Sequence, residues 1–252
     1  MVYTLERLEK GYVLFTITRN EKRNAINDDV MNGLREALTV AKSPDIKALV
    51  ITGEGDQAFC SGGDLSVFHL LRTKEEAYTM LSKMARILYS LMTFSKPTIA
   101  LMNGTTIGGG CELAAACDFR VAKRGIKAGF VQGKQAITTG WGGGSIVAEK
   151  LPASTTMKLL MEAKMHTAEE LREIGFIDSL YTQNSHTACE SFLETLLAMD
   201  LEVLQSYKRI WIEKWEQTHL LERIEKEVEN CSRLWESEAH LQLVEKFLRK
   251  NI

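Results

Sequence analysis

Apolar residues recur along this chain in two rhythms. VLFTIT (13–18) and KALVITG (47–53) are dense in β-branched and apolar residues, the composition of buried strands. Between them, DDVMNGLREALTVAK (28–42) repeats apolar residues at three- and four-residue spacing, which gives a helix one apolar face. That order predicts βαβ units. A second helical stretch over 74–92 runs into Ser95-Lys96-Pro97, where the proline disfavours helix in the residue before it, and the strand TIALMNG (98–104) follows. TTIGGGCELAAACDFRVA (105–122) then sets a glycine cluster before an alanine-rich helix that ends near Cys117 and passes into the strand FRVA. Beyond Ile177 long helices predominate, including a charged one expected over 213–250 with Leu, Ile, Val, Trp and Phe on one stripe. The pattern predicts a continuous α/β core over 1–190 and a helical region over 191–252 that packs against another surface. There is no fixed-period repeat and no low-complexity linker, and only three prolines punctuate the chain.

Composition narrows the class. With 252 residues, 45% hydrophobic and 25% charged, the chain can bury a large core. A formal net charge of −2 argues against nucleic acid as the main partner, though not against a local basic pocket for phosphate. No apolar run approaches the roughly 20 residues of a membrane span, and the N-terminus lacks a signal-peptide pattern, so a cytoplasmic protein is expected. Cys60, Cys111, Cys117, Cys189 and Cys231 fit neither zinc nor C-x-x-C spacing and read as reduced, buried thiols. The five histidines have no metal-like spacing and receive no role.

Two segments carry candidate chemistry. AFCSGGDL (58–65) and NGTTIGGGCELA (103–114) each place glycines directly after a strand, where backbone N–H groups are free to meet a ligand. Two such groups converging on one oxygen would hold a thioester carbonyl as it becomes an enolate. Either cluster alone reads equally as a turn, and neither fits G-x-G-x-x-G at its offsets or G-x-x-x-x-G-K-[ST].

The two segments, in this order and separation, resemble the enoyl-CoA hydratase/isomerase (crotonase) family. The likeness extends from RNEKRNAIN (19–27) through both glycine segments to HTAEELREIGFID (166–178) and the terminal EKFLRK (245–250). It implies a spiral of ββα units with two roughly perpendicular sheets and a C-terminal helical region that packs homotrimers, often doubled into hexamers. It also implies a coenzyme A thioester as substrate, with no bound metal or redox cofactor. Residue by residue, the resemblance assigns the oxyanion-holding N–H groups to Gly63 and Gly109. It lays CoA along Arg23, Asn24 and Ala25 and along Gly62, Asp64 and Leu65. Lys22 and Arg23 are then candidates for a CoA phosphate, or simply solvated charges.

Hydratases of the family use two glutamates. The first corresponds to Glu112, in GGGCEL. The second is missing, because GFVQGKQAITTGWGGGS (129–145) aligned without gaps puts Lys134 in its place. Lys134 is read either as a substrate-side residue or as an exposed loop residue, and Trp141 either as a wall of the acyl pocket or as core. FVQ, Ile137 and WGGG in this segment resemble the branch that decarboxylates ethylmalonyl-CoA and methylmalonyl-CoA, a reaction needing an oxyanion hole and one proton donor but no second base. Hydration by Glu112 alone and decarboxylation therefore stand side by side as lyase readings. A catalytically silent acyl-CoA binding protein is the alternative. Aspartate at Leu220 or Ile224 is expected to weaken assembly.

Overall fold

The structure is a computed structural model that describes residues 1–250; the side chains of 247–250, within EKFLRK, lie outside the described residues. β1 (Tyr3–Leu8) and β2 (Tyr12–Ile17) pair as an antiparallel hairpin. α1 (Asp28–Val40) begins at Asn27, whose side chain accepts the Val30 N–H at 3.0 Å, and it buries Val30, Met31, Leu34 and Leu38. β3 (Ala48–Gly53) lies parallel to β2 with every residue buried, as in a sheet covered on both faces.

From β3 onward the chain repeats one unit, in which a strand joins a large sheet, the next strand joins a small sheet, and helix follows. β3 is followed by β4 (Ala58–Cys60), the short α2 (Leu65–Phe68) and α3 (Lys74–Met92). The next two units are β5 (Thr98–Met102), β6 (Thr105–Ile107) and α4 (Gly109–Ala116), then β7 (Phe119–Lys123), β8 (Lys127–Gly129), α5 (Gly143–Ala148) and α6 (Ala153–Glu162). β9 (His166–Thr167), α7 (Ala168–Glu173) and β10 (Ser179–Tyr181) complete the core. The large sheet has the order β1-β2-β3-β5-β7-β10, and the small one β4-β6-β8-β9. This is the ββα spiral that the resemblance implies. It also brings the C-terminal ends of β4 and β6, neighbours in the small sheet, to the same place.

The helical region is α8 (Ser185–Ala198), α9 (Leu201–Gln217), α10 (Leu220–Trp235) and α11 (Glu238–Lys250). The expected boundary at 190 falls inside α8, whose Ala188, Cys189 and Leu193 pack with Val50, Ile99, Leu101 and Val121 of the large sheet. The long helix expected over 213–250 is broken. His219, left-handed at φ 52°, ends α9 and sends α10 back along α3. Leu220 and Ile224 are therefore buried in the chain's own core, so an aspartate at either position would unfold the protein and does not test the assembly expected of it. The exposed apolar stripe lies instead on α9, at Val203, Tyr207, Ile210 and Trp211. All five cysteines are buried free thiols.

Candidate active site

A cavity of about 870 Å³ opens where the ends of β4 and β6 meet. Its floor is the contact between two glycine turns. Gly62 has φ +92°, and a Cβ there would stand 3.1 Å from the Gly109 nitrogen. At Gly109 a Cβ would fall 2.3 Å from Trp141 Cζ3, so the indole rests directly on the start of α4. Only glycine permits these approaches. Gly63 and Gly109 both line the cavity, and neither N–H has an acceptor in the protein among the described residues. The expected pair of donors is thus brought together and left free.

Glu112, one turn into α4, is 2% exposed and lines the same cavity. Its Oε1 accepts from Gln132 Nε2 at 2.9 Å and Gly140 N–H at 3.3 Å. Its Oε2 accepts from the N–H groups of Trp141 at 2.9 Å and Gly143 at 2.8 Å. Burial pushes the carboxyl up to about 7, with help from the nearby charge of Glu227 and against these hydrogen bonds. A group poised there can give or take a proton near neutral pH. Trp141, 4% exposed, covers Gly109 and faces Gly63, so it is a wall of the site as well as core.

Arg23, Ala25, Gly62, Asp64 and Leu65 also line the cavity, with Lys22 beside them. Ile26 N–H donates to the Gly62 carbonyl at 2.8 Å and Asp64 N–H to the Ile26 carbonyl at 2.9 Å, which clasps the 19–27 loop to the glycine turn. Arg19, which sequence reasoning passed over, ties this together: it pairs with Asp64 at 2.6 Å and donates to the Ala25 carbonyl at 2.7 Å, largely out of water. Asp64 is thereby an anchor, and it caps α2 through Ser66 N–H at 3.0 Å.

Two expected ligand-side residues do not face the cavity. Asn24 is fully buried behind it, where its side chain accepts the Arg19 N–H at 3.1 Å and donates to the carbonyls of Glu54 at 3.0 Å and Ala58 at 2.7 Å. Lys134 is exposed, because the 3-10 turn Gln132–Gln135 directs Gln132 and Gln135 inward and Lys134 to solvent.

The opposite wall comes from the helical region. Cys231 and Trp235 of α10 and His240 of α11 line the cavity together with Phe68, Met80 and Ile137. His240 is 2% exposed and packs against Trp235 with the ring planes tilted by 48° and centroids 4.8 Å apart. Its Nδ1 lies 2.6 Å from the Gln135 carbonyl, which only accepts, so that nitrogen carries a proton. Burial holds the imidazole below the ordinary histidine value.

A sequence model of the enoyl-CoA hydratase/isomerase family matches residues 7–251. The chain belongs to that family. A crotonyl-CoA hydratase of Syntrophomonas wolfei is 35% identical over 70% of this chain and 67% of its own length. An ethylmalonyl-CoA decarboxylase of Xenopus laevis is 26% identical over 96% of this chain and 82% of its own. In fold, an enoyl-CoA hydratase/isomerase of Xanthobacter autotrophicus superposes with a TM-score of 0.90 at 21% identity, covering 99% of this chain and 93% of that one. Among the described residues no group of three or more His, Cys, Asp or Glu is placed to hold a metal ion, and no helix is long and apolar enough to cross a membrane.

Proposed function

We propose that this protein is a CoA-thioester lyase that forms a thioester enolate between the Gly63 and Gly109 N–H groups and protonates it from Glu112, by decarboxylating a short, branched malonyl-type thioester such as methylmalonyl-CoA or ethylmalonyl-CoA. One observation carries the choice of reaction. Of the carboxylates that line the cavity, Asp64 is neutralised by Arg19 and Glu21 sits on the exposed 3-10 turn Asn20–Lys22, which leaves Glu112 as the available acid. Lys134, in the position of the second family glutamate, faces solvent.

In this mechanism the thioester oxygen sits between the two N–H groups and CoA runs out past Ala25 and Arg23, with Lys22 and Arg23 near its phosphates. The Cα–carboxylate bond breaks and carbon dioxide leaves. The bonding pair passes into the thioester as an enolate, whose oxygen the two donors stabilise; each such donor in a dry site contributes about 3 to 4 kcal/mol to the transition state. Glu112 then gives its proton to Cα and is reprotonated from water. Trp141, Phe68 and Ile137 keep bulk water from the enolate.

The cradle of four N–H donors around Glu112 favours a second reading, because it suits the ionised carboxylate. As a base, Glu112 would take a proton from a water adding to Cβ of a 2-enoyl-CoA and return it to Cα. Incubation with methylmalonyl-CoA, ethylmalonyl-CoA and, separately, crotonyl-CoA, with products followed by mass, distinguishes the two. Carbon dioxide loss supports the first, hydration without it replaces the first by the second, and binding without turnover points to a silent acyl-CoA binder. The α9 stripe is the surface on which a homotrimer or hexamer would assemble.

A further inference from the structure

The turn that grips Glu112 is gripped in turn by a second carboxylate. Glu227, on α10, accepts from the Thr139 hydroxyl and from the Gly144 N–H at 2.9 Å through Oε1. Its Oε2 accepts from the Ser145 N–H at 2.7 Å and the Ser145 hydroxyl at 2.6 Å. Glu112 holds the N–H groups of Trp141 and Gly143. One short turn thus shares its donors between two carboxylates, with Glu112 facing the cavity and Glu227 outside its lining.

We propose that Glu227 is a positioning residue for Glu112: through Thr139, Gly144 and Ser145 it fixes from behind the turn whose Trp141 and Gly143 N–H groups hold the Glu112 carboxylate. The idea rests on reading Glu112 as the proton carrier.

The surroundings leave Glu227 the main charge on Glu112. Burial keeps the neighbouring thiols of Cys111 and Cys231 protonated, with Cys231 pushed up to about 12. α5 has no ionisable side chain over Gly143–Ala148, and α3 meets Gly140 through Leu81. Glu149, just past α5, takes Arg223 of α10 and Lys214 of α9, so those cations do not offset Glu227. His240 of α11 is held below the ordinary histidine value by burial. After burial itself, the charge of Glu227 is the next largest cause of the raised Glu112 value.

The test is an infrared titration of the protonated-carboxyl stretch that vanishes in Glu112→Gln, run on wild type, Glu227→Gln and Glu227→Asp alongside kcat and KM. The wild-type midpoint is expected near 7. In Glu227→Gln it should fall by on the order of one pH unit, with kcat at pH 7 down about fivefold and KM little changed. Glu227→Asp keeps the charge on a shorter arm, so its midpoint should stay near wild type while kcat falls. A folded Glu227→Gln with unmoved midpoint and kcat overturns the proposal. An Asp midpoint as low as that of Gln, or no Glu112 band titrating near neutrality in wild type, also overturns it. Should Glu227→Gln not fold, the Asp variant decides alone: lower kcat at constant midpoint supports the role, and wild-type kcat refutes it. The midpoint requires no turnover, so a failed decarboxylation assay with a moved midpoint sinks the reaction assignment and leaves this role standing.

Discussion

Replacing Gly109 by alanine adds one methyl where the site has no room for it. The new Cβ would lie 2.3 Å from Trp141 Cζ3 and 2.5 Å from Cη2, where ordinary contact begins at 3.4 Å. Either the indole swings away or the start of α4 retreats, and the second movement carries the Gly109 N–H out of its position. Overpacking of this kind costs about 1 to 3 kcal/mol of stability. Loss of one oxyanion donor costs about 10² to 10³ in kcat. The assay is a thermal melt with steady-state kinetics on Gly109→Ala and on Gly109→Ala/Trp141→Leu, in which the clashing ring is gone. The single variant should fold, melt lower and lose kcat far more than it changes KM. The double variant should regain most of the lost stability. A folded Gly109→Ala with kcat within about threefold of wild type would refute the claim that the added methyl displaces this N–H.

Three further outcomes follow from the same geometry. Arg19→Met should cost about 3 to 5 kcal/mol in denaturant unfolding, because it strands the buried Asp64 carboxylate, and a loss below about 1 kcal/mol would contradict the anchoring role. Burial pushes Asp64 up, but hydrogen bonds from Ser66 and Arg19 and the Arg19 charge outweigh it, so its folded value lies below the ordinary one; its stabilisation is present above about pH 4 and is lost as pH falls through the folded value, a loss absent in Asp64→Asn melts. On α9, Trp211→Asp should reduce the sedimentation coefficient while leaving the far-ultraviolet spectrum intact, whereas Leu220→Asp should abolish the folded spectrum; an unchanged sedimentation coefficient in the first case removes the stripe as the proposed assembly surface.

Local pattern made much of this legible. β3 and α1 appear where their apolar periods place them, and the glycine turns mark where backbones and an indole approach closely, while the assignment of Gly63 and Gly109 as donors came from the family resemblance. Glu112 came from the family resemblance, through its place in GGGCEL. What escaped depends on contacts distant in sequence or on the rotation of a single turn. Lys134 and Gln132 are two residues apart, and the 3-10 geometry alone decides that the amide meets Glu112 while the lysine meets water. Asn24 sits in a loop that touches the cavity, yet its left-handed backbone at φ 55° turns the side chain inward to the carbonyls of Glu54 and Ala58. The break at His219 carries no proline or glycine, so a periodic charged stretch read as one helix hides the reversal that puts Glu227, Cys231, Trp235 and His240 around the site.

The most direct test of the enolate account is the pH dependence of kcat/KM for carbon dioxide release from methylmalonyl-CoA and ethylmalonyl-CoA, with Glu112→Gln alongside. A proton donor titrating at about 7 predicts activity that is full below neutrality and falls as pH rises past it, and a loss of about 10² or more in the glutamine variant. Activity that instead rises through pH 7, or a Glu112→Gln enzyme that still releases carbon dioxide at the wild-type rate, would contradict it.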